Sequence, residues 1–229
     1  MKEKNLLRPG DYIDIHTHDG RPSEGVFIVE NLMAHEGKIP EKTQGIAYSI
    51  GIHPWYLNDK NHDDLISALK MTALKENIIA VGEAGFDKLR GPSIELQRKT
   101  FEEQIIISED LKKPLIIHCV RMWDELILAH RKYKPAMAWL VHGFRGKKEL
   151  AYQLISRGMY LSFWFEFVLR EESSSLLKEL PAERMFIETD GAEVSIKDIY
   201  AKVSGDMGIS IEKLKTIMAD NFQRFFMTV

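Results

Sequence analysis

Eight short apolar, β-branched runs recur along the chain, and their spacing constrains the fold more than any other feature. They cover Tyr12–His16, Val26–Glu30, Gly45–Gly51, Ile78–Gly82, Pro114–His118, Met137–His142, Gly158–Ser162 and Met185–Thr189. Several are apolar without alternation (IIAVG, PLIIH, AWLVH, MFIET), which is the pattern of strands buried on both faces of a parallel sheet. Helical segments lie between most of them. Ser93 is placed to cap a helix reaching Lys112 that buries Ile94, Phe101, Ile105 and Leu111. Trp123, Leu126, Ile127 and Tyr133 mark the next, and Leu150, Ala151, Leu154 and Ile155 the one after. A last helix starts near Ser210 and carries Leu214, Ile217, Met218 and Phe225 inward. Eight strands with interleaved helices predict an α/β fold, a TIM-type (β/α)8 barrel.

One step breaks the alternation. Only Asp19 to Gly25 separate the first two strands, whereas a parallel crossover usually needs about a dozen residues or more. Either the barrel lacks the helix after strand 1, or strand two runs differently. No repeat, linker or low-complexity tract interrupts the chain, so residues 1–229 are expected to form one domain, and Ser173–Ser175 to lie in a loop or on a helix surface.

Composition narrows the functional classes. With 45% hydrophobic and 28% charged residues, the chain is neither disordered nor fibrous. Its 31 Lys+Arg against 34 Asp+Glu argue against a broad nucleic-acid-binding face. Cys119 is the single cysteine, so no internal disulfide forms, which fits a reducing compartment. The start, MKEKNLLRPGDY, is too polar for a secretory leader, and no run approaches the ~18 apolar residues of a membrane span. A cytoplasmic protein with no membrane association and no obligate protein partner is expected.

The predicted strands end in metal-ligand residues. Strand one ends in His16-Thr17-His18, strand four in Gly82-Glu83, strand five in His118, strand six in His142, and strand eight in Asp190. In a barrel those ends share one mouth, where active sites of this fold lie. His16 and His18, two apart on a strand, point the same way. Four imidazoles and two carboxylates suit Zn, Mn, Fe or Ni rather than Ca. Six ligands exceed the three a mononuclear catalytic zinc needs, so the set points to two divalent metal ions that activate water. Taken singly, His118 or His142 reads as a core histidine, and Glu83 or Asp190 as a helix cap; their joint arrival at one rim does not. His53, before Pro54, is a candidate substrate contact, while His35, His62 and His130 fall off the strand ends. Cys119 reads as a core residue.

Together these residues resemble the TatD-type metal-dependent hydrolases, the deoxyribonuclease branch of the amidohydrolase-like barrels. Asp14-Ile15-His16-Thr17-His18 resembles the family's D-x-H-x-H, and Gly51-Ile52-His53-Pro54 its G-x-H-P. Gly82-Glu83-Ala84-Gly85-Phe86-Asp87 is similar to G-E-x-G-L-D, and Gln97, Phe101 and Gln104 fit the following Q-x3-F-x2-Q helix. Ile117-His118-Cys119, His142-Gly143-Phe144-Arg145-Gly146, Glu188-Thr189-Asp190, and Asn221 with Phe225 complete the series in order. The resemblance implies that His16, His18 and Asp190 hold one metal and His118 and His142 the other, with Glu83 bridging. It makes Asp190 and Glu83 the catalytic carboxylates, Asp190 orienting or deprotonating the attacking water. Asp14 would support this shell or the strand end.

Departures from the pattern fall on the substrate walls. Val120 stands where the family often has Arg, which shifts a phosphate grip to Arg121 or Arg145, and Gly191-Ala192 replaces Ser-Pro after the last ligand. Leu161–Phe167 alternates, which places Ser162, Trp164 and Glu166 on one side and makes Trp164 a candidate for base stacking. The expected activity is phosphodiester hydrolysis with single-stranded DNA ends as substrate. A carboxylic ester or amide hydrolase acting like a D-aminoacyl-tRNA deacylase, or a metal-binding interaction module without catalysis, are the alternatives. The metal is one of Zn, Mn, Mg, Ni or Fe.

Overall fold

The computed structural model describes residues 7–226, so the polar start at residues 1–6 lies outside that range. Eight strands form one sheet in the order β1-β2-β3-β4-β5-β6-β7-β8. They are β1 (Tyr12–Thr17), β2 (Val26–Met33), β3 (Ile46–Gly51), β4 (Ile78–Asp87), β5 (Leu115–Val120), β6 (Trp139–Val141), β7 (Tyr160–Trp164) and β8 (Met185–Glu188). The helices are α1 (His62–Ala73), α2 (Ile94–Leu111), α3 (Trp123–Tyr133), α4 (Lys148–Ile155), α5 (Phe165–Val168), α6 (Glu171–Glu179), α7 (Ile196–Met207) and α8 (Ile211–Phe226). This is the order of a TIM-type (β/α)8 barrel. No helix among the described residues is long and apolar enough to cross a membrane.

Two compact units make up the described chain, residues 7–30, 42–47 and 143–226 in one, and residues 31–41 and 48–142 in the other. In the first, β1 pairs in parallel with β2, Tyr12 opposite Val26 and Thr17 opposite Glu30. The connection, residues 18–25, contains no helix, so the first crossover is made by a loop alone. β7 pairs in parallel with β8, and the Asp190 N–H donates to the His16 carbonyl at 3.1 Å, which brings the end of β8 onto β1. Helix α7 is tied to β1 by Tyr200, whose hydroxyl donates to the Ile13 carbonyl and accepts from the Ile13 N–H. Asn221 on α8 donates to the carbonyls of Ala182 and Met185, fixing the start of β8. Burying Phe222 and Phe225 on the same helix supplies the apolar contribution, with Phe222 edge-on to Phe27 and Phe225 to Tyr160.

In the second unit β4 pairs with β5, and β5 with β6, all in parallel. Two glycines permit the first pairing. Gly82 (φ 129) and Gly85 (φ 147) hold backbone angles that disfavour a side chain, and a Cβ on either would collide with a β5 carbonyl, Ile116 or His118. Ser93 caps α2 as expected, its hydroxyl accepting from the Leu96 N–H at 3.3 Å. The α2 glutamines serve as backbone clamps. Gln104 pairs with both polar groups of Ile52 after β3, and Gln97 with both of Asp87 at the end of β4.

Three local expectations are corrected. β4 runs to Asp87 rather than ending at Gly82, because its two glycines allow the ladder to continue where a side chain would stop it. The Leu161–Phe167 alternation ends at Trp164, since α5 begins at Phe165; Glu166 therefore leaves the strand face shared by Ser162 and Trp164. Ser173 lies within α6 and is buried, its hydroxyl against the carbonyls of Val168 and Arg170, so it does not sit on a surface.

Candidate functional site

Each unit gathers its own cluster of ligand atoms at strand ends. In the first, His16 at the end of β1 is fully buried, and His18, one residue beyond the strand, is half-buried. Their rings lie edge to face with centroids 5.0 Å apart. Both Nε2 atoms approach Asp190 Oδ1, at 3.7 and 3.6 Å. Asp190 follows β8 in a left-handed conformation (φ 52), at a cost of about 1–2 kcal/mol that the surrounding bonds must offset. Asp14 supplies part of that support. Its two oxygens accept from the Thr189 N–H at 3.0 Å and the Thr189 hydroxyl at 2.6 Å, fixing the residue before Asp190. Burial pushes the Asp14 carboxyl up to about 7, against the lowering effect of the Thr189 bonds. Glu188, fully buried, accepts from the Gly143 N–H and the Ser162 hydroxyl, which locks the end of β8 from the other side.

In the second unit three imidazoles converge on one carboxylate oxygen. Glu83 Oε1 lies 2.6 Å from His142 Nε2, 2.8 Å from His118 Nδ1 and 3.2 Å from His53 Nε2. Burial alone would raise the Glu83 pKa, but His142, His53 and His118 together hold the carboxyl well below its usual value, so it remains anionic. Its main-chain N–H donates to Asn31 Oδ1 at 2.6 Å, and the Ser49 hydroxyl donates to the same oxygen at 2.9 Å. His53 is buried, and its ring pKa is lowered by that burial. Its Nδ1 accepts from the Trp55 N–H, which leaves Nε2 to carry the proton toward Glu83. His118 turns its other nitrogen, Nε2, to Asp87 Oδ2 at 3.2 Å.

These donor sets fit a divalent transition metal. In His16/His18/Asp190 and in His53/Glu83/His118, each residue offers a ligand atom within 4.8 Å of the others. Mixed imidazole nitrogen and carboxylate oxygen, partly withdrawn from water, is the donor chemistry of Zn, Mn, Fe and Ni sites. A carboxylate that holds the far nitrogen of a ligating histidine, as Asp87 holds His118, is a usual companion of such sites.

The six expected ligands are thus divided between the two clusters, three in each unit. His53, expected as a substrate contact, lies in the ligand cluster itself. Arg121 is exposed just past β5 in a left-handed conformation (φ 55). Arg145 is exposed and places its guanidinium 4.9 Å from the Trp164 ring centroid, so these two expected substrate contacts meet each other. Cys119 is buried and its thiol pKa is raised by that burial, in keeping with a core role. His62 is buried on α1, and His130 packs edge-on against Trp139. Asn31, Asp87 and Trp55 were not singled out from the sequence. Asn31 lies on the part of β2 beyond Glu30, and Asp87 is the last letter of the G-E-x-G-L-D motif.

A (β/α)8 fold whose strand ends carry His/carboxylate clusters has the makings of a metal-dependent hydrolase, and comparison with known proteins agrees. Residues 30–227 match the family described as TatD related DNase. The uncharacterized metal-dependent hydrolase YcfH of Escherichia coli (strain K12) is 25% identical over 209 residues, covering 84% of this chain and 78% of that protein. The 3′-5′ ssDNA/RNA exonuclease TatD of Pantoea ananatis is 26% identical over 169 residues, 71% of this chain and 64% of that protein. In fold, the chain is similar to the crystal structure of YJJV, a TatD homolog from Escherichia coli K12. That match has a TM-score of 0.78 at 19% identity and covers 97% of this chain and 100% of the other. The chain belongs to the TatD family of metal-dependent hydrolases.

Proposed function

We propose that the protein is a two-metal phosphodiesterase that trims single-stranded DNA from its ends in the 3′-to-5′ direction. The observation that carries this reading is the presence of His/carboxylate clusters in both units, His16/His18/Asp190 in one and His53/Glu83/His118 in the other, each with the donors of a divalent metal site. The similarity to a relative named as an ssDNA/RNA exonuclease supports the choice of a phosphodiester over a carboxylic ester. When bound, the metals lower the pKa of water and offset charge on a phosphoryl oxygen.

This chain's residues do the rest. Asp190, half-buried and oriented by its Thr189 neighbour, takes the proton of the attacking water through its carboxylate. Glu83, anionic and fixed through its own N–H by Asn31, supplies the negative charge that retains cations in its cluster. Arg121 and Arg145, both exposed, are available to the phosphates. With a net charge of −3, the chain has little sequence-independent attraction for duplex DNA, which suits a substrate held at its end.

A substrate panel tests the reading. Metal-free protein reloaded with Mn, Mg or Zn is offered 5′-labelled single-stranded DNA, bis-p-nitrophenyl phosphate and carboxylic esters. Stepwise shortening of the DNA is expected; turnover of the carboxylic esters alone overturns the proposal.

A further inference from the structure

Beside the Glu83 cluster, within the same unit, lies a set of aromatic and cationic groups that the chemistry above does not use. Trp55 and Tyr56 follow His53 in a 3-10 turn, Pro54–Tyr56, and are 39% and 40% exposed. An exposed tryptophan is common on a protein surface, but this one is held rigidly. Its indole N–H donates to Asp87 Oδ2 at 2.6 Å. Its ring stands edge-on to His53 at 4.9 Å and to His118 at 5.8 Å, and the Arg90 guanidinium carbon lies 4.1 Å from its centroid. Arg90 is fixed in turn, its main-chain N–H donating to Asp87 Oδ1 at 3.0 Å. Tyr56 lies 6.0 Å from the His53 ring and stacks on exposed His35 at 4.0 Å. Lys88 and Arg90 line an open cavity of about 420 Å³ next to Asp87, a size within the range of small-ligand pockets.

We propose that Trp55, Tyr56 and Arg90 form a stacking subsite for a nucleobase of a single-stranded substrate, with Lys88 and Arg90 drawing its phosphates. The inference rests on the nuclease reading above. Flat π-faces and a guanidinium plane, held beside a ligand cluster and flanked by cations, are what a splayed-out base requires. Stacking is tolerant of sequence, so any base would be accepted. Asp87 is the anchor: one of its oxygens positions Trp55 and the other the loop that carries Arg90.

The test compares an oligothymidylate with an abasic oligonucleotide of the same length and backbone. The wild-type protein should prefer the base-bearing strand in kcat/KM, and in equilibrium binding to the metal-free protein measured by fluorescence anisotropy. Trp55→Ala should reduce that preference about tenfold, chiefly through KM, and Trp55→Phe should retain most of it. Arg90→Ala should lower it several-fold, with the Asp87 anchor intact. If wild-type protein shows no preference, or if the alanine variants weaken both strands equally, the subsite is overturned. Preferential binding without cleavage of either strand would refute the nuclease reading while leaving the subsite standing.

Discussion

Asp87 Oδ2 stands 3.2 Å from His118 Nε2, on the side of the imidazole opposite Glu83. The ring is therefore fixed from both ends by carboxylates, Asp87 at Nε2 and Glu83 at Nδ1. Burial would raise the Asp87 pKa, but the bonds from Trp55, Leu89, His118 and Arg90 lower it below its usual value.

Removing the Asp87 carboxylate should therefore loosen a ligand without deleting one. Asp87→Ala is expected to weaken divalent metal binding about 10- to 100-fold, the usual effect of losing a carboxylate behind a ligating histidine. Asp87→Asn, which keeps an acceptor oxygen, should lose less. Calorimetric titration of Mn into metal-free protein measures both.

Loss of a ligand carboxylate should be more severe. Asp190→Ala is expected to lower hydrolysis by about 10²- to 10⁴-fold, the range for a positioned proton acceptor. Glu83→Ala should abolish retention of metal in its cluster. Elemental analysis should find more than one equivalent of divalent metal in the wild-type protein and less in either variant, with near-unchanged circular dichroism. Chelation of the wild-type protein should stop turnover, and re-addition of metal should restore it.

Gly85→Ala should fail for steric rather than chemical reasons. The new methyl would meet the His118 carbonyl oxygen, and φ 147 is unfavourable for alanine. A loss of about 2–4 kcal/mol is expected, which lowers the melting temperature by roughly 5–15 °C in a chain of this size. Thermal denaturation reads it directly.

Tyr200 sets a limit at alkaline pH. Burial raises its phenol above the ordinary value of 10.0 in the folded state. Below that value the phenol is protonated in both states and its contribution is constant. As pH rises past it, the unfolded chain ionises first, and folding loses up to about 1.4 kcal/mol per pH unit through this group. Tyr200→Phe should begin about 1–3 kcal/mol less stable, because two Ile13 backbone bonds are lost. The gap should narrow above pH 10, as measured by urea unfolding across a pH series.

What the sequence made legible follows from periodicity and from clustering of rare residue types. Several of the eight strands announce themselves as unbroken apolar runs, and strand ends present His16, His118 and His142 at predictable places. Asn31 was hidden because it lies beyond the apolar part of β2, where a polar residue reads as a strand end. Trp55 and Asp87 are 32 positions apart, and nothing in local pattern couples an aromatic in a turn to an acid that closes a motif. His53 shows the same limit: its place after β3 was readable, but its 3.2 Å approach to Glu83 depends on how closely β3 and β4 run. Gly51 allows that closeness, since a Cβ there would collide with the Glu83 carbonyl.

The loop that replaces the first helix also bears on how far His18 can travel. Because Tyr12 pairs with Val26 at the start of the strands, the chain leaving Thr17 must return the length of β1, about 17 Å at roughly 3.3 Å per residue. Residues 18–25 coiled as a helix would span only about 12 Å at 1.5 Å per residue. Non-helical backbone reaches with slack, its contour being roughly 30 Å against that 17 Å span. His18 gains its restraint from the β1 side alone: it follows Thr17 directly, so its backbone stays with the strand while the slack lies further along the loop.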